Sequence, residues 1–202
     1  MKKTKTIYLA VIISLFGFTH YVHAIAVPVV DGGGQILTGI DGINLLGGTW
    51  NVQFIDGTAN AIFGLAGINY DFNNESDATA AATALRDVID LPAFVFWDEN
   101  TFDIEGIDAN IADIITPYSF DTNSDSALIV TYRNGRDSFP IPDTISLSAI
   151  AQTQDLTSSA TGVYAKWTNV SNVPVPAAAY LMGTALLGLL GFNRKRTQVV
   201  AS

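Results

Sequence analysis

The central 146 residues, Val27 to Asn172, predict an α+β fold: a single, mostly antiparallel β domain with one packed helix. Three observations lead there. Several short segments alternate apolar and polar side chains at the strand period of two. One alanine-rich segment repeats at the helical period. Both chain ends are set apart by apolar runs flanked by cations.

The elements follow in chain order. Gly32-Gly33-Gly34 after Asp31 reads as a flexible lead-in. Thr49 to Asp56 alternates, with Trp50, Val52 and Phe54 on one face and Asn51 and Gln53 on the other; Asp56-Gly57 closes it as a turn. Ala61 to Leu65 reads as its partner strand. Ser76 to Asp90 is the expected helix, capped by Ser76 or Asp77, with an apolar stripe of Ala81, Leu85, Val88 and Ile89. Leu91-Pro92 ends it, because the residue before a proline disfavours helical geometry. Ala93 to Trp97 reads as a short buried strand. Leu128 to Arg133 reads as a strand running into an Asn134-Gly135 turn. Thr144 to Ile150 and Gly162 to Thr168 alternate again, the latter placing Val163, Ala165 and Trp167 on one face.

The ends read as addresses. Lys2, Lys3 and Lys5 precede an apolar run from Ile7 to Phe18, and small residues follow at Ala24 and Ala26, so residues 1–26 read as a secretory signal peptide. Val22-His23-Ala24 offers a second cleavage pattern two residues earlier. At the other end, Val173-Pro174-Val175-Pro176 leads into sixteen uncharged residues, Ala177 to Phe192, and then Arg194-Lys195-Arg196. Sixteen helical residues rise about 24 Å; with the four before them the segment approaches the length that spans a bilayer. The three cations stay cytoplasmic by the positive-inside rule, leaving residues 197–202 as a cytoplasmic tail and the body outside. Both ends predict the same orientation.

The stretch VPVPAAAYLMGTALLGLLGFNRKR resembles the sorting signal of the PEP-CTERM family, in its Val-Pro-Leu-Pro-Ala variant. Val173, Pro174, Pro176, Ala177 and Ala178 match, as do Gly183, Gly188, Gly191 and the basic end; Val175 stands where the variant has Leu. The resemblance implies a Gram-negative bacterium, an export route tied to exopolysaccharide, and an exosortase that recognises residues 173–196 and cuts near the proline motif. The body is also similar to those of other PEP-CTERM proteins. It shares a segment of the form W/Y-x-V-x-F-x-D-G, here Trp50 to Gly57, ahead of an Ala-rich helix.

Charge and composition then exclude several chemistries. All 19 acidic residues lie between Asp31 and Asp155, while the body keeps only Arg86, Arg133, Arg136 and Lys166 as cations; four against 19 leaves it at −15. Such a surface repels nucleic acid. Both histidines, His20 and His23, lie in the signal peptide, and there is no cysteine. The body therefore lacks the residues for Ser-His-Asp or Cys-His catalysis and for the usual zinc sites.

The remaining candidates are carboxylates and aromatics. Asp121, Asn123 and Asp125 have the oxygen spacing of a calcium loop, and Asp71, Asn73, Glu75 and Asp77 alternate similarly. Both lack the position-six glycine and position-twelve glutamate, and Asx turns explain them without metal. Asp98, Glu99, Asp103 and Glu105 could serve glycoside hydrolysis, and Trp50, Trp97 and Trp167 could stack on sugars. The expectation is a non-catalytic, cofactor-free exported protein. Its partners would be the secretion machinery, signal peptidase, exosortase, inner membrane and polysaccharide matrix. The alternatives are a carboxylate-based glycoside hydrolase and a permanently anchored periplasmic domain.

Overall fold

In the computed structural model, residues 25–65, 69–135 and 142–170 are described. The chain divides into two units, Met1–Asn169 and Val170–Ser202, and of the second only Val170 is described. The expected sorting motif Val173 to Ala177, the C-terminal transmembrane helix and the stop Arg194-Lys195-Arg196 thus lie outside the described residues, as does Ala24. Among the described residues, no helix is long and apolar enough to cross a membrane.

Seven strands form one sheet in the order β1-β2-β3-β7-β4-β5-β6. They are β1 Val27–Val30, β2 Leu37–Leu45, β3 Gly48–Ile55, β4 Ile111–Asp121, β5 Ser126–Gly135, β6 Thr144–Ala151 and β7 Gly162–Asn169. Every neighbouring pair is antiparallel except β4 with β7, so the sheet is mixed. Helices α1 Ala59–Phe63, α2 Glu75–Ile89 and α3 Val95–Glu99 complete the fold.

Two of the alternating strands, β3 and β7, bury the faces their sequence assigns, whereas β6 leaves Leu147 and Ala149 exposed. Val52 and Phe54 of β3 and Val163, Ala165 and Trp167 of β7 enter the main core, with Trp50 half-buried against it. Helix α2 covers this face through Ala78, Ala81, Ala82, Leu85 and Ile89, with Val88 half-buried beside them. The opposite face has its own smaller core, where Ala59 and Phe63 of α1 meet Ile115, Ile129, Ile150, Leu156 and Tyr164. One helix on one face is therefore corrected to two covered faces. The segment Ala61 to Leu65, expected as a strand, holds most of α1: Thr58 caps that helix by accepting the Ala61 N–H.

Four other readings change. The cap of α2 is Asn74, whose side chain accepts the Asp77 N–H at 2.9 Å, in place of Ser76 or Asp77. Ala93 to Trp97 is a turn entering α3; Phe94 and Trp97, three apart, are buried, while Val95 and Phe96 are exposed. That is helical spacing, which a short apolar run does not distinguish from a strand. Asn134 and Gly135 are both inside β5, paired with Ala112 and Ile111. The glycines after Asp31 belong to the β1–β2 turn, fixed by Asp31 Oδ1, which accepts the N–H groups of Gln35 and Ile36.

Two features of the sheet set its geometry. The first is where the chain enters and leaves it. Val27 pairs with Asp41, Ile43 with Trp50, and Trp50 with Asn169. The first residue of β1 and the last of β7 therefore lie at the same end of the sheet. The second is a split. Asp113 donates its N–H to Thr161 O at 2.6 Å, so alternate β4 residues from Asp113 onward donate towards β7. Pairing runs through Ile115 with Tyr164 and stops. The next donating position is Pro117, which has no N–H, and β4 and β7 pair no further.

Candidate functional site

The aromatic candidates are structural. Trp97 is 9% exposed and donates its indole N–H to Gln35 O at 2.8 Å; Trp167 is 3% exposed and donates its own to Thr116 Oγ at 3.3 Å. Trp50 and Trp167 flank Phe72, with ring centroids at 5.3 and 5.9 Å. Trp97 and Trp167 belong to the main core and Trp50 is half-buried against it, so the three indoles do not share one exposed face. A shallow groove over β1, β2, β3 and β7 is lined by Thr38, Asp41, Asn51, Gln53, Lys166 and Thr168 and contains no aromatic side chain.

The first calcium candidate is the β4–β5 hairpin turn. Asp121 Oδ1 accepts from the Asn123 backbone N–H at 2.9 Å and from Asn123 Nδ2 at 3.2 Å, and Oδ2 accepts from Ser124 Oγ at 2.8 Å. Asp125 takes φ 51°, a left-handed position that Asp tolerates in turns. The Asp121 carboxylate is thus occupied by its own loop, and these hydrogen bonds hold its pKa down. The second candidate is dispersed. Asp71 turns inward to accept the Trp167 backbone N–H at 2.7 Å, while Asp77 and Asn73 accept from the Asn74 amide. Glu75 faces the Tyr118 hydroxyl at 3.5 Å.

The catalytic candidates separate in the same way. Of Asp98, Glu99, Asp103 and Glu105, only Asp98 joins a carboxylate group, with Asp90 and Asp143. One oxygen from each lies within 4.8 Å of the others, a spacing that can hold a metal ion. Three elements build this group: Asp90 is the C-cap of α2, Asp98 lies in the first turn of α3, and Asp143 immediately precedes β6. Asp143 is held by two donors from β5, the Tyr132 hydroxyl at 2.8 Å and the Gly135 N–H at 2.9 Å. Burial raises the Tyr132 pKa first, and the nearby charges of Asp143, Asp90 and Asp98 raise it further, so this hydroxyl stays a donor. Asp90 and Asp143 are 53 residues apart in sequence, and neither sits in a recognisable motif.

The cations are largely committed. Arg133 forms a two-pronged pair with Asp113 on the facing strand, at 2.7 and 2.9 Å, and Arg86 pairs with Asp87 at 2.7 Å. Lys166 donates to Ile62 O at 3.1 Å and stands 5.7 Å from the Phe63 ring centre. Among the described residues, Arg86, Arg133 and Lys166 form no cluster with one another.

No family model, curated protein or solved structure matches this chain.

Proposed function

We propose that this chain is an exported, non-catalytic protein of the PEP-CTERM type. Its residues 27–172 are delivered to the cell surface or polysaccharide matrix through the exosortase signal at 173–196. One observation carries most of the weight. The folded sheet starts at Val27, directly after the expected cleavage site, and ends at Asn169, four positions before the proline motif begins at Val173, with both residues at one end of the sheet. A domain built this way folds whole while a membrane segment is still attached at either end. The packing of Trp97 and Trp167 in the core and of Trp50 against it, with the charge of −15, favours a structural or binding role on its outer surface.

The glycoside hydrolase alternative has less support. Of the four acids expected to serve it, Asp98 alone joins a three-carboxylate group, with Asp90 and Asp143. Asp143 has both oxygens engaged within the protein.

Mass spectrometry of fractionated cells tests the proposal. Peptides from the body should appear in the surface or matrix fraction without any peptide from Gly183 to Arg196. An intact C-terminus in that fraction overturns processing. Retention of the uncut chain in the inner membrane favours the permanently anchored alternative.

A further inference from the structure

The split between β4 and β7 leaves the Trp167 backbone N–H without a strand partner, and Asp71 fills the place. Its carboxylate substitutes for a backbone carbonyl in the middle of a sheet. The segment carrying it, residues 69–74, lies across the opening like a strap. The Asn69 N–H donates to Phe63 O at 3.0 Å, the Tyr70 hydroxyl accepts from Gln152 Nε2 at 2.8 Å, and Phe72 wedges between Trp50 and Trp167 at 4% exposure. Asn74 then caps α2. The strap is anchored by side chains on both flanks and by a single carboxylate over the split itself.

We infer that residues 69–74 form a pH-operated strap, closed over Trp50 and Trp167 when Asp71 is protonated and loosened when Asp71 carries its charge. The geometry sets the direction. In the closed strap Asp71 is half-buried and accepts one backbone N–H. A neutral carboxyl keeps that hydrogen bond through its carbonyl oxygen, whereas a carboxylate also loses hydration that one donor does not replace. Lys166 of β7 is the charged group acting on Asp71, and its ammonium is committed to Ile62 O. Among the titratable groups of the flanking elements, Glu75 of α2 faces Tyr118 of β4, and Tyr70 accepts from Gln152. Glu75 and Tyr70 supply no positive charge, and Lys166 offsets the effect of burial only in part.

Burial pushes the Asp71 pKa from 3.8 to about 6. A carboxyl raised in the closed state favours closure most below its free pKa; that preference falls as pH rises towards about 6 and is gone above it. With these two values, the ratio of open to closed strap grows about tenfold between pH 5 and pH 7. The inference does not depend on how residues 173–196 are processed.

Amide hydrogen exchange of the full chain, read by mass spectrometry and corrected for intrinsic rates, tests it. Peptides holding residues 69–74 and Trp167 should lose protection about tenfold from pH 5 to pH 7, with no further loss above it. In Asp71→Asn, whose amide oxygen accepts the same N–H without charge, that change should vanish. Protection that is independent of pH in the wild type overturns the proposal, as does an equal loss in Asp71→Asn. Should that variant fail to fold, the wild-type profile alone decides: a loss that continues above pH 7 refutes the role of Asp71.

Discussion

Gly106→Ala should be costly for two separable reasons. Gly106 has φ +74°, a left-handed conformation that an L side chain adopts at a cost of about 1–2 kcal/mol. A Cβ there would also stand 2.5 Å from Asp56 Oδ1 and 2.7 Å from its Cγ and Oδ2. The Asp56 carboxylate sits on a single methylene, so it retreats only by turning about that carbon or by moving its backbone. Its Oδ1 is buried without a hydrogen-bond partner, and burial, followed by the charge of Asp155, raises its pKa. Overpacking of this kind costs about 1–3 kcal/mol, so the whole substitution should remove about 2–5 kcal/mol. Chemical denaturation of Gly106→Ala, Asp56→Ala and the double variant measures the split. In the Asp56→Ala background the steric part disappears and the cost should fall to about 1–2 kcal/mol. An equal cost in both backgrounds would show that the carboxylate is not what limits this position, and the reasoning would fail.

Two further substitutions probe the core and the hairpin. Leu85, fully buried under α2 against the sheet, should cost about 2–5 kcal/mol on mutation to Ala, read as a lower denaturation midpoint; a loss below about 1 kcal/mol would mean α2 is not firmly packed. Asp121→Ala should lower the melting temperature by the same amount with and without EDTA, because the carboxylate organises its own turn. A loss confined to the EDTA-free sample would restore calcium to that loop.

The strands visible in the sequence were those whose apolar residues alternate without interruption. β3, β6 and β7 meet that condition; β5 was the exception, legible as the unbroken apolar run Leu128-Ile129-Val130 followed by Thr131 and Tyr132. β2 was hidden because Gly39, Asp41 and Gly42 break its pattern; its register shifts between Ile40 and Ile43. Its hairpin with β3 turns through Leu46 at φ 51° and Gly47 at φ 75°, a two-residue turn whose leucine gives no turn signal. β4 was hidden by Pro117, the residue that ends its pairing with β7. The Asn134-Gly135 pair misled for the opposite reason: a strong local turn signal was overridden by pairing with β4 and by burial.

The same division holds for the candidate sites. Asp121, Asn123 and Asp125 were legible because a turn is local, and their hydrogen bonds are those an Asx turn makes. Asp90, Asp98 and Asp143 meet only because the ends of α2, α3 and β6 converge. The position of Asp71 at the sheet split depends on a proline 46 residues away. No window of sequence contains either arrangement.

The shared position of Val27 and Asn169 has a consequence for the connectivity of the domain. On β1 and β7, with only β2 and β3 between them, they stand three strand spacings apart, about 14 Å. About five residues span that gap. A circular permutant joining Asn169 to Val27 and opened within the β4–β5 turn, between Thr122 and Asn123, keeps all six strand pairings. The strand order is thus independent of where the chain is opened, although the sheet itself keeps β1 and β6 as its edges.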